Sequence, residues 1–115
     1  MRGARPGWIG VDLDGTLAMD EGRRGLRRVG RPVPAMLRMV KQWIADGVEV
    51  RIFTARVGGG RPAAEREAAV AAIEGWCVRH VGRRLAVTAE KDAGMDELWD
   101  DRARRIERNT RRRIK

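Results

Sequence analysis

The chain has one cysteine, one histidine, one phenylalanine and no tyrosine among its 115 residues. A lone Cys77 excludes an internal disulfide framework and fits a reducing, cytoplasmic setting. Together with the single His80 it also excludes a His/Cys zinc set. No apolar run approaches the roughly 20 residues a membrane span needs. Arg2 and Arg5 stand near the start, but no apolar stretch follows them, so no secretory signal is expected. The aromatic content is almost entirely tryptophan: Trp8, Trp43, Trp76 and Trp99 fall in separate segments. That spacing suits core anchors better than a base-stacking platform. What the chain has in excess is positive charge, 25 Lys+Arg against 16 Asp+Glu, for a net +9. Such a balance favours polyanionic partners, phosphate esters and nucleic acid among them, although a chain that writes Arg at every surface cation would look the same. At 43% hydrophobic and 36% charged residues, the composition is that of a globular protein, and the length is that of one domain, residues 1–115.

The pattern alternates strands and helices. Residues 8–12, Trp-Ile-Gly-Val-Asp, read as a buried first strand. Residues 18–32 hold Gly22, Gly25, Gly30 and Pro32 with five arginines and no clear period, a mobile basic loop or small flap over the strand ends. Pro34 opens an amphipathic helix over 34–46, with Leu37, Val40, Trp43 and Ile44 on one side and Gly47 as its stop. Residues 48–53 form a second strand, 62–80 a long helix with Ala69, Ile73, Trp76, Cys77 and His80 on one face, and 85–88 a third strand. Cys77 and His80 are read as core side chains. Glu97-Leu98-Trp99 leads a fourth short strand into Asp100-Asp101; residues 102–108 are an edge strand or a helix start, and 110–115 a basic tail. The β-helix-β order predicts a Rossmann-like α/β/α sandwich with a mostly parallel sheet of four or five strands and right-handed crossovers.

Polar groups recur where strands end. Asp12 and Asp14 close the first strand, Thr54 the second; Lys91 follows the third, and Asp100 with Asp101 ends the fourth. In a parallel sheet these ends share one edge, where open α/β sheets bind ligands. Asp12 and Asp14 would repel without a cation between them, and Mg²⁺ is the usual hard-cation remedy. A hydroxyl and an amine beside them suit a phosphoryl group, which needs positive compensation as it transfers. One aspartate can attack phosphorus; a second carboxylate two residues on can serve as acid, then base. Asp-Gly by itself is only a common turn pair.

These residues in this order resemble the haloacid dehalogenase superfamily of phosphohydrolases, from about Trp8 to Asn109. Asp12-Leu13-Asp14-Gly15-Thr16 is similar to the family's first motif, Ile52-Phe53-Thr54 to its second, Lys91 to the lysine of its third, and Trp99-Asp100-Asp101 to its acidic fourth. The small size, without a large cap domain, is similar to the phage-type members. The resemblance implies Asp12 as nucleophile through an aspartyl-phosphate, Asp14 as general acid and base, and Thr54 and Lys91 on the phosphoryl oxygens. It implies Mg²⁺ on Asp12, the backbone carbonyl of Asp14, and one or both of Asp100 and Asp101. Gly15, Ala55 and Arg56 join the expected substrate contacts, Arg56 through a two-pronged hold on phosphate. In the family's sheet order the seven residues between Thr88 and Asp96 cross under two central strands, a gap reachable only if extended, so the resemblance argues against a full helix carrying Lys91 and leaves a loop as the alternative. The reading is a Mg²⁺-dependent phosphomonoesterase, open enough for nucleotides or nucleic-acid ends. The other class considered is a basic nucleic-acid-binding protein on the same scaffold with little or no turnover.

Overall fold

The computed structural model describes residues 7–22 and 25–115. The basic lead-in with Arg2 and Arg5, and Arg23 and Arg24 of the 18–32 loop, lie outside the described residues.

Four strands form one parallel sheet: β1 (Trp8–Asp12), β2 (Glu49–Phe53), β3 (Ala86–Thr88) and β4 (Met95–Trp99), in the spatial order β3-β2-β1-β4. Two helices connect the first three, α1 (Pro34–Ala45) and α2 (Ala63–His80). The chain walks in one direction from β1 to β2 to β3. Right-handed crossovers therefore lay both helices on the same face. Strand alternation puts Ile9, Val11, Val50 and Ile52 on that face, where they pack with Val40 and Trp43 of α1 and Ile73, Trp76 and Cys77 of α2. Trp99 joins them through a tilted contact with Trp43, 5.3 Å between ring centroids. Burial pushes the Cys77 thiol up to about 11, so this cysteine is an inert core group, and His80 lies against Trp76.

Local signals set the helix ends. Pro34 supplies the fixed φ of a first turn. Gly47, at φ 84°, lets its own N–H reach the Ile44 carbonyl and that of Val48 reach Trp43, a Schellman closure. Val48 is thus still closing α1, and β2 begins one residue later than its apolar pattern suggests.

The opposite face of the sheet carries Trp8, Gly10 and Arg51, and its cover is the crossover Ala89–Gly94 in place of a third helix. This segment runs from the end of β3, at one edge, to the start of β4, at the other. Three strand spacings of about 4.8 Å must be crossed. Seven extended steps reach about 23–25 Å, whereas helical rise would give about 10 Å. Asp92 staples the segment down, accepting from Trp8 Nε1 and from the Gly94 N–H, both at 2.8 Å. Those two bonds, the Trp8 one foremost, hold its carboxyl below the ordinary value. Arg51 lies 4.3 Å over the Trp8 ring and 3.6 Å from Asp92.

The C-terminus differs from the tail the sequence suggests. Residues 105–114 form a hairpin, β5 (Arg105–Ile106) antiparallel to β6 (Arg113–Ile114), separate from the main sheet. Asn109 turns the chain at φ 63°, the Glu107 N–H donates to the Arg112 carbonyl, and Arg112 pairs with Glu107 at 2.5 Å. Asparagine tolerates this left-handed conformation because its short side chain hydrogen-bonds locally.

Candidate active site

The C-terminal edge of the sheet opens into a cleft of about 910 Å³. Asp12 and Asp14 line it from the turn after β1, Thr54 to Arg56 from the turn after β2, and Asp100 and Arg102 from the segment after β4. Adjacent strands do the positioning: Val11 is in register with Trp99 and Asp12 with Phe53, so Asp100 and Thr54 each emerge beside Asp12.

Asp12, Asp100 and Asp101 each present a carboxylate oxygen within 4.8 Å of the others. The Thr16 hydroxyl ties the group together. Its Oγ1 lies 3.2 Å from both Asp12 Oδ2 and Asp101 Oδ1, and it accepts the Asp101 N–H at 3.1 Å. Gly15 makes this approach possible. Its φ of 91° turns the chain, and a Cβ there would stand 2.7 Å from Asp101 Oδ2. Burial, the Asp101 side chain and the charge of Asp100 push the Asp12 carboxyl up to about 7. Three crowded carboxylates, one of them resisting ionisation, are a donor set that suits a hard divalent cation. Either fourth-strand acid can ligate, since both lie in the cluster. The Asp14 side chain is not part of it.

Asp14 is held elsewhere. Arg56 grips both of its oxygens, Nε to Oδ2 and Nη2 to Oδ1, each at 2.8 Å. The remaining Nη1 donates to the carbonyls of Arg28 at 2.7 Å and Leu26 at 3.1 Å. Arg56 therefore latches the tip of the 18–32 segment to the acid, and this guanidinium is not free for the two-pronged phosphate contact expected of it. The base of that segment is fixed too: Met19 N–H donates to Arg31 O, Val33 N–H to Leu17 O, and Trp76 Nε1 to Gly30 O. At its described residues the flap is thus braced at base and tip.

Thr54 is buried; its hydroxyl accepts the Arg56 N–H at 3.2 Å, capping a 3-10 turn over Ala55–Val57. The hydroxyl proton remains available to a ligand in the cleft. Ala55 lines the cleft beside it. The Gly15 N–H, in contrast, is engaged by the Ala18 carbonyl at 2.8 Å, which corrects the substrate contact expected of it. Lys91 is a further correction. It is exposed, does not line the cleft, and has no partner among the described residues. The short crossover explains this, because Glu90 is bonded to Thr88 while Asp92 is already at Trp8. Among the described residues, the cations that do line the cleft besides Arg56 are Arg61 and Arg102. Sequence reading missed both, and missed the Thr16 and Arg56 contacts; Arg61 and Arg102 sit in loops, where no periodicity marks direction.

No family model matches the chain, and no curated protein does. A solved structure does: a conserved protein coded by a locus from Bacteroides thetaiotaomicron aligns at TM-score 0.53 and 20% identity, over 84% of this chain and 77% of that one. The likeness shows the α/β fold. No described helix is long and apolar enough to cross a membrane.

Proposed function

We infer that the cleft hydrolyses phosphomonoesters with a divalent cation, Mg²⁺ by its chemistry, in the manner of the haloacid dehalogenase superfamily. The observation that carries this reading is the gathering of Asp12, Asp100 and Asp101 within 4.8 Å, with Asp14 two residues from Asp12 and independently oriented. Bound Mg²⁺ would be held by Asp12, Asp100 and Asp101 and would offset carboxylate and phosphoryl charge. Asp12 attacks phosphorus while the bond to the leaving oxygen breaks, and Asp14 gives that oxygen its proton. Asp14 then takes a proton from water, which attacks the aspartyl-phosphate and frees phosphate and Asp12. Thr54 donates to a phosphoryl oxygen, and Arg61 and Arg102 supply the positive charge that Lys91 does not bring.

The test is p-nitrophenyl phosphate turnover with and without Mg²⁺, in the parent and in Asp12→Asn. Metal-dependent turnover lost on substitution supports the reading; turnover surviving it sinks the nucleophile assignment. A second reading, a nucleic-acid-binding protein with little turnover, draws on the arginine-rich hairpin. It wins if no phosphomonoester is hydrolysed while polyanion binding persists.

A further inference from the structure

Positive charge is not spread evenly over this chain. The fourteen residues from Arg102 hold eight of the 25 cations and one of the 16 acids, so seven of the nine net charges lie there. Uniform use of Arg at surface sites would not concentrate them. The hairpin places these side chains on a two-stranded ribbon whose strands are fully exposed. Arg112 is paired with Glu107, but Arg104, Arg105, Arg108, Arg111, Arg113 and Lys115 have no carboxylate partner among the described residues.

We propose that the β5–β6 ribbon is a docking arm for the phosphate backbone of a nucleic-acid strand, and that it delivers a phosphorylated strand end to the cleft. The delivery half rests on the phosphatase reading above; the docking half stands on the ribbon. Register pairs Arg105 with Ile114 and Ile106 with Arg113, so each face of the ribbon carries a cation beside an apolar side chain. A membrane-seeking surface would separate the two, apolar on one face and basic on the other. The ribbon has no aromatic stacking platform, and its arginines favour contacts with phosphate, which carry no sequence preference. Arg102 already lines the cleft, and Arg105 follows three residues later, at most about 11 Å of chain. A strand lying along the ribbon meets positive charge up to Arg102 at the cleft, beside the acids that would hold the cation.

The experiment titrates a fluorescent single-stranded oligonucleotide of about 12 nucleotides, bearing a terminal phosphate, into the full chain without divalent cation, from about 50 to about 200 mM KCl. Log affinity is expected to fall against log salt with a slope of about −2 or steeper, each single-strand phosphate contact giving roughly −0.7. The triple variant Arg105→Gln, Arg111→Gln, Arg113→Gln should lose about tenfold or more in affinity at the lowest salt and flatten the slope by about 2, while the triple Lys variant keeps both. The Gln variant should also shift the ratio of oligonucleotide-end to p-nitrophenyl phosphate hydrolysis about tenfold against the oligonucleotide. A parent slope of one contact or less overturns docking, as does a Gln variant that binds like the parent, or tighter binding to phosphatidylserine vesicles than to the oligonucleotide. If the Gln variant does not fold, the parent slope and the Lys variant still decide. If the parent hydrolyses neither substrate, delivery falls with the phosphatase reading, and the titration alone judges docking.

Discussion

Removing divalent cation should make this protein less stable as pH rises, and the size of the effect follows from one side chain. In an unfolded chain the Asp12 carboxyl titrates near 3.9, whereas in the fold, partly buried and crowded by Asp101 and Asp100, it is pushed up to about 7. Between these values the folded protein holds a proton that the unfolded chain has released. Stability therefore falls as pH climbs through that window, and the loss is complete above about pH 7. At 1.36 kcal/mol per pH unit, the full displacement corresponds to ~4 kcal/mol. Asp12 is only partly buried, and solvent screening reduces the effect to roughly 1–2 kcal/mol. For a chain of this size that lowers Tm by about 3–10 °C between about pH 5 and pH 8 in EDTA.

Mg²⁺ should restore the loss, and only at the alkaline end. With a dissociation constant of about 0.1–1 mM at the higher pH, ~10 mM cation contributes about 1.4–2.7 kcal/mol. Near pH 5 the proton on Asp12 competes about a hundredfold, and the gain shrinks to a few tenths of a kcal/mol. Asp12→Asn should remove both behaviours, raising the metal-free Tm at the higher pH and abolishing the cation response. Scanning calorimetry over pH, with and without Mg²⁺, measures all of this. An equal Mg²⁺ shift at both pH values, or a shift retained in Asp12→Asn, would refute the reasoning.

Gly15→Ala places a Cβ 2.7 Å from Asp101 Oδ2 at a backbone φ of 91°, so it should cost about 1–3 kcal/mol in chemical denaturation and weaken the cation response of the melt. Arg56→Ala frees both the Asp14 carboxylate and the Leu26 and Arg28 carbonyls. Turnover should fall about ten- to a hundredfold, limited proteolysis should accelerate between Gly25 and Arg28, and the Mg²⁺ shift in Tm should persist. Deleting Asp96 removes the irregularity in β4 that shifts register between Trp8 and Ile9. The remaining residues then pair without a break, Glu97 with Ile9 and Trp99 with Val11, so Trp99 should keep the fluorescence of a buried indole; emission of an exposed indole would refute the bulge assignment.

Much of the architecture was legible because independent signals agreed. In β1 the apolar run ends where Asp12 begins, and in α1 the proline start, apolar spacing and Gly47 stop all mark one helix. The extended crossover was legible once reach was combined with the sheet order that the family resemblance implies: seven residues cannot span those strands as a helix. The hairpin was not legible, since two-residue strands of Arg-Ile carry no period and its turn depends on one left-handed Asn109. Partners in the cleft were hidden for another reason. Arg56 and Asp14 are 42 residues apart, Thr16 and Asp101 85. Long flexible side chains choose among such partners by three-dimensional proximity, which local pattern does not encode. The expectation for Lys91 failed on the same ground: its order in the chain suited a site cation, but the path of the crossover carried it away from the cleft.

The acid cluster owes its assembly to a single inserted residue. Trp8 pairs with Met95, yet Ile9 pairs with Glu97, so β4 carries one extra residue, Asp96, opposite that step of β1. Had the register run on unbroken, Val11 would face Leu98 and Asp12 would face Trp99. Because side chains alternate, a slip of one residue would send Trp99 to the opposite face of the sheet and leave Leu98 to face Trp43. The bulge corrects this in one place, as bulges near functional edges do. It turns Trp99 inward against Trp43 at 5.3 Å and brings Asp100 up beside Asp12 on the next strand. Core packing and the acid cluster are therefore set by the same register. A change that repacks Trp99 must move Asp100, and the fold cannot relax the repulsion at Asp12 without losing an aromatic contact in its core.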